Sequence, residues 1–236
     1  MSLLSLIQNA SDRLGIVRPA TVITSTDQQA LRLLGFAQQE GKALARRHTW
    51  QVLTKEGTFT ATATETQTNA LPTDFDRWID GTFFNRSRKR PVFGPLNAQD
   101  WQFAKSVVAT VIIESFRQRG STTDILITPT ATAGDSYAFE YIGKNWCQSS
   151  GAVAQSAWAS DTDTGILEEE LMTLGVVWRF KAGQGLDYSE EFRNYELMVA
   201  QATGRDGGRR VLNAGAYMSG RRPAAQFIQD GSWNLV

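Results

Sequence analysis

The chain has 236 residues, enough for one sizeable domain or for a core with a second unit inserted in it, since a domain takes roughly 100–200 residues. Its 24 Lys and Arg balance 24 Asp and Glu, so net charge argues neither for nucleic-acid affinity nor for membrane-surface attraction, and any charge argument has to be local. A single cysteine, Cys147, excludes an internal disulfide, and a single histidine, His48, excludes a histidine-built metal site. No basic leader opens the chain and no run nears the roughly 18 apolar residues of a spanning helix, so the expectation is a soluble protein made in the cytoplasm, with no membrane partner and no cofactor.

Leu3, Leu4, Ile7, Ala10 and Leu14 recur at helical spacing ahead of Gly15, which predicts an amphipathic helix over residues 3–14 with a glycine stop. Ser25, Thr26 and Asp27 offer an N-cap to a second helix of about 20 residues, traced by Ala30, Leu31, Leu34, Ala37, Leu44, Ala45 and His48. Gly35 and Gly41 within it suggest close helix packing.

After Trp50 the period changes from 3.6 to 2. Thr58, Thr60, Thr62, Thr64, Thr66 and Thr68 then fall on one side of an extended segment. Further strands are expected at 81–85, 91–93, 111–118, 124–128 and 136–142, separated by Gly, Pro and charged turns. Residues 51–158 therefore read as a β-rich unit.

Helical period returns behind Asp163 and Thr164, which are placed to cap a helix whose first turn carries Glu168, Glu169 and Glu170. Leu167, Leu171, Leu174 and Trp178 form its expected stripe. Gly183 and Gly185 break it, and Tyr188, Phe192, Tyr195, Val199 and Ala202 give a second stripe, so a helical hairpin is predicted up to Thr203. From Gly204 on, apolar residues are too sparse for a core. The fold class that results is α+β: an antiparallel helical bundle from segments 1–50 and 159–203, an inserted β-rich domain at 51–158, and an extended C-terminal arm at 204–236.

No constellation argues for catalysis. His48 would have to serve any Ser-His-Asp site, yet it lies in ARRHTW on a helix stripe, and no G-x-S-x-G turn is present. Asp161, Asp163 and Gly165 loosely suggest a calcium loop, but Ile166 and Met172 stand where glycine and glutamate are required, so a helix cap is the stronger reading. AGQG at 182–185 lacks the lysine and serine of a phosphate loop, and scattered carboxylates do not make a glycosidase. Catalytic, cofactor and metal residues are expected to be none.

Charge is nevertheless uneven. Arg86, Arg88, Lys89 and Arg90 make a basic loop tip, and segment 204–236 holds five arginines against Asp206 and Asp230. Asp161, Asp163, Glu168, Glu169 and Glu170 form an acidic stretch without a base. Solvated surface charge accounts for this as well as contact between neighbouring subunits or with nucleic-acid phosphate does. The threonine row reads as a solvated sheet face or as a docking surface for a sugar or another sheet.

The stretch FEYIGKNWCQ at 139–148, with DTDTGILEEELMTLGVVWRFKAGQGLDYSEEFRNYE at 161–196, resembles head-to-tail adaptor (connector) proteins of tailed bacteriophages. RRHTW at 46–50 and LPTDFDRW at 71–78 follow the same order of elements. The resemblance implies a structural virion protein at the head-tail junction, not an enzyme, in a ring, commonly a dodecamer. That ring docks under the capsid portal, carries a tail or nozzle protein and lets double-stranded DNA pass without sequence specificity. An arm binding the portal would use Arg209, Arg210, Leu212, Tyr217, Arg221, Arg222, Phe227 and Trp233, and the acidic stretch would be a subunit-interface rim. The competing expectation is a β-rich tail tip or fibre module that binds a host-surface glycan.

Overall fold

A computed structural model describes residues 2–106, 113–120 and 123–207. Helix α1 spans Leu3–Leu14; the Ser2 side chain accepts from the Ser5 amide at its start, and Gly15, at φ 66°, closes its end by donating its N–H to the Asp12 carbonyl. Left-handed geometry at that position is one that glycine adopts without strain. Helix α2 spans Gln28–Arg47 and is capped by the Asp27 side chain on the Gln29 amide. The first matches the expected bounds, and the second ends at Arg47, one residue short of the expected His48.

The β part runs β1 (Thr54–Thr60), β2 (Thr66–Gln67), β3 (Phe75–Trp78), β4 (Phe84–Asn85), β5 (Arg90–Pro91), helix α3 (Ala98–Ser106), β6 (Ser115–Gln118), β7 (Ile125–Thr128) and β8 (Ser136–Gly143). Strand β8 is central: it pairs antiparallel with β1 from Thr54↔Ile142 to Thr60↔Ser136 and, on its other edge, with β3 and β4. Strands β2, β7 and β6 form a second sheet. Between the sheets lies an aromatic core in which Trp78, Phe83, Phe116, Tyr137 and Phe139 pack at centroid distances from 4.6 Å upward. Helix α3 and strand β3 were not legible in the sequence.

The threonine row does not form one strand. Strand β1 ends at Thr60, and the next residues turn back around Gln67, whose side chain accepts from the Thr62 amide at 2.8 Å and donates to the Thr62 and Thr64 carbonyls at 3.0 and 2.6 Å. A buried side-chain amide replaces the sheet ladder there, so period 2 in the sequence overstates the strand.

Strands β9 (Cys147–Gln148), β10 (Ala154–Gln155) and β11 (Thr164–Gly165) form a small third sheet. Helices α4 (Glu169–Gly183) and α5 (Ser189–Arg205) follow, with Gly185 at φ 72° in the link. Helices α1, α2, α4 and α5 share one apolar core with Trp146, Cys147 and Trp158, and α4 touches the other three. Enclosure on several sides explains why α4 lacks the expected narrow stripe. Leu171, Met172, Val176, Val177 and Phe180 are all buried, whereas Leu174 and Trp178 are half-buried and Leu167 precedes the helix.

Two further expectations need correction. The N-cap of α4 is Glu168, without a side-chain bond. Asp163 instead accepts from the amides of Ala159 and Ser160 at 2.7 and 2.8 Å, and Thr164 is drawn into β11. His48 is not on the α2 stripe: it is the C-cap at φ −143°, its ring edge-on to Trp50.

Candidate functional site

The basic loop is the tip of the β4–β5 hairpin. Phe84 opposes Pro91 and Asn85 opposes Arg90, while the Arg88 amide donates to Asn85 Oδ1 at 3.0 Å and Lys89 takes φ 54°. Two of the cations are spent within the chain: Arg86 pairs with Glu56 of β1, and Arg88 Nε lies 2.8 Å from Asp135. Arg90 is exposed. A groove of about 670 Å³ runs beside the hairpin, lined by Glu56, Thr82, Phe84, Arg86, Lys89 and Glu140.

Beneath the tip is a polar network that sequence reading missed. Asn85 Nδ2 donates to Glu114 at 3.2 and 3.3 Å and to Asp135 at 3.1 Å, and the Tyr137 hydroxyl donates to Glu114 at 2.9 Å. Burial first, and the Glu114 hydrogen bond second, hold the Tyr137 hydroxyl well above its ordinary pKa. The signal available was alternation: Phe83 and Asn85 both occupy inward positions around the outward Phe84, so a polar residue at the second demanded inward partners.

The five acidic residues have separate tasks. Asp161 accepts from the amides of Val22 and Ile23 at 3.0 and 2.8 Å, and its carbonyl accepts from Leu4. Asp163 is 2% exposed. The two carboxylates turn to different backbone amides and do not converge as a cation loop would. Glu170 pairs with Arg13 at 2.6 Å, Glu168 lies 3.4 Å from Arg205, and Glu169 is half-buried. Only Glu168 and Glu170 present an exposed carboxylate.

At the end of α5, Asp206 Oδ2 accepts from the Gln51 amide at 3.0 Å and stands 3.4 Å from His48 Nε2. A groove of about 400 Å³ opens there between Trp50, Val52, Leu167, Glu168, Arg205 and Asp206. The candidate arm residues Arg209, Arg210, Leu212, Tyr217, Arg221, Arg222, Phe227 and Trp233 lie outside the described residues.

In the helical core, Glu40 is fully buried and held by Arg179 Nε at 2.7 Å and the Tyr195 hydroxyl at 2.6 Å. It falls on the inward face of α2 with Leu33, Ala37 and Leu44, a placement the spacing showed but the sequence reading passed over. Cys147 is buried, donates to the Gln155 carbonyl at 3.3 Å, and has its thiol pushed up to about 12, by burial first and then by the nearby Asp163 charge. Such a thiol is not a nucleophile near neutral pH.

Among the described residues no group of three or more His, Cys, Asp or Glu side chains is placed to hold a metal ion, and no helix is long and apolar enough to cross a membrane. The family model described as SU10 adaptor protein matches residues 1–224. No curated protein matches the sequence.

Proposed function

The chain belongs to the SU10 adaptor protein family, a bacteriophage structural adaptor family in keeping with its resemblance to head-to-tail adaptors, and from this premise we propose that it is a ring subunit joining the capsid portal to the tail and continuing the DNA channel. The observation that carries the reading is the extent of the match: residues 1–224 take in every helix and strand of the described residues and the start of the C-terminal segment, so the likeness extends over both the helical and the β part.

In this reading the helices around α4 form the wall of the ring, and the β part meets the tail or nozzle protein. The arm expected at 204–236 loses Gly204 and Arg205 to α5, and the segment 208–236 is the portal-docking arm, with Leu212, Tyr217, Phe227 and Trp233 as anchors and Arg209, Arg210, Arg221 and Arg222 setting register. The acidic contribution to subunit contact comes from Glu168 and Glu170, for which a neighbour's cations compete with Arg205 and Arg13. DNA passes without base readout, and the protein resides in the virion at the head-tail junction.

Electron microscopy of virions tests the placement directly. A ring of this chain between portal and tail is expected, and its location at the tail tip would overturn the reading. Deleting residues 208–236, which spares the Asp206 contacts, should leave a folded protein that no longer binds the portal.

A further inference from the structure

The outer face of α2 is a cationic stripe without a carboxylate. At 3.6 residues per turn, Gln28, Arg32, Gly35, Gln39, Lys42 and Arg46 fall within a sector of about 80°, and the three cations span about 21 Å of helix. All six are exposed. Among the described residues Arg32, Lys42 and Arg46 have no ion-pair partner, whereas Arg47, one residue on, pairs with Glu196 and the buried acid of the helix, Glu40, pairs with Arg179.

Among the described residues no unpaired acidic row complements this stripe. Among the described residues the only carboxylates without a side-chain hydrogen bond or ion pair are Asp80, Glu140 and Glu190. The first two belong to the β part and the third to the start of α5, so the described residues offer no unpaired acidic row to match three cations along one helix. A line of cations with one amide donor, Gln39, among them and no acid suits a polyanion.

We propose that the outer stripe of α2 is the DNA-facing surface of the subunit, with Arg32, Lys42 and Arg46 contacting duplex phosphates irrespective of sequence; this rests on the ring reading above. Duplex DNA carries one charge per about 1.7 Å of axis, so a stripe of this length meets phosphate at any rotation or register. Three contacts hold DNA only weakly, which suits a strand that has to slide.

The test measures anisotropy of a fluorescent random-sequence duplex of about 30 base pairs with the full-length protein over a salt series. Wild type is expected to bind with a log-log salt slope of about −2.7 per subunit, and Arg32→Gln/Lys42→Gln/Arg46→Gln, with an unchanged circular dichroism spectrum, to lose that slope and about tenfold or more in affinity at low salt. A control carrying Arg90→Gln/Arg117→Gln/Arg119→Gln in the β part is expected to keep the wild-type slope. Absence of wild-type binding, an unchanged slope in the α2 variant, or an equal loss in the control overturns the proposal. So does an α2 variant that binds DNA normally yet fails to enter particles, which would make the face a protein-docking surface. The ring reading stands or falls separately, on where microscopy finds the chain in virions.

Discussion

Glu40 of α2 lies 2.7 Å from Arg179 Nε of α4, with its carboxylate fully buried and its second oxygen 2.6 Å from the Tyr195 hydroxyl of α5. One side chain therefore ties three helices together. Glu40→Ala is expected to cost about 3–5 kcal/mol, because it strands the Arg179 charge inside and leaves Tyr195 without an acceptor. Glu40→Met combined with Arg179→Met should recover most of that loss, since a buried ion pair repays little beyond its own desolvation. Urea midpoints decide the matter; an unchanged midpoint in Glu40→Ala would show that the network contributes nothing.

Two glycines in the same pair of helices should respond with opposite sign. A Cβ at Gly175 would stand 2.2 Å from Glu40 Cδ, on a side chain that cannot move without breaking the network, whereas a Cβ at Gly35 meets nothing within 4 Å. Gly175→Ala is expected to destabilise by about 1–3 kcal/mol. Gly35→Ala, in the exposed interior of α2, should stabilise by about 0.5–1 kcal/mol. Thermal melts of the two variants check the sign; loss of stability in both would remove the distinction between close approach and open space.

The sequence showed α1 and α2 almost residue for residue, because each is amphipathic, the first with a glycine stop at Gly15 and the second with a local cap at Asp27. It showed α4 as helical but not its burial, since a helix enclosed by three others has no polar face to give it period. The short strands β9, β10 and β11 were lost because two residues carry no alternation, and their partners are fixed by Trp146 and Trp158 packing into a core formed by distant helices. At the candidate sites the sequence showed charge but not its use. Asp161 and Asp163 read as an acidic rim, although their oxygens serve backbone amides, and Arg86 and Arg88 read as a free basic tip, although Glu56 and Asp135 neutralise them. Long-range partners of this kind have no local signature.

That difference yields a prediction at Asp161. Its two oxygens fasten the loop at Val22 and Ile23 to the segment ahead of α4. Asp161→Ala should cost about 2–3 kcal/mol. Asp161→Asn should cost nearly as much, because its amide nitrogen would face an amide N–H in place of an acceptor. If Asp161 served only a neighbouring subunit, both variants would unfold at the wild-type urea concentration under dilute conditions.

Stability should also fall steeply at alkaline pH, through three tyrosines and the buried Cys147 thiol, whose release of a proton on unfolding starts one unit lower, near pH 9.0. Burial, followed by the carboxylates of Glu114, Asp74 and Glu40 respectively, raises the hydroxyl pKa of Tyr137, Tyr141 and Tyr195 above the ordinary 10.0. Below pH 10.0 all three are protonated in both folded and unfolded chains, so their contribution is fully present and independent of pH. Above it the unfolded chain releases protons that the folded chain retains, and each tyrosine removes about 1.4 kcal/mol of stability per pH unit until its folded pKa is reached. Urea unfolding between pH 8 and pH 11 should therefore show a slope that steepens past the ordinary tyrosine pKa of about 10. Tyr195→Phe should lower that slope by about one quarter whatever it costs at neutral pH, because it removes one of four protons from the balance, those of three tyrosines and of the Cys147 thiol. Absorbance at 295 nm supplies the independent readout. Phenolate from these three residues should appear together with unfolding, and its appearance before unfolding would mean that their hydroxyls are not held by the carboxylates beside them.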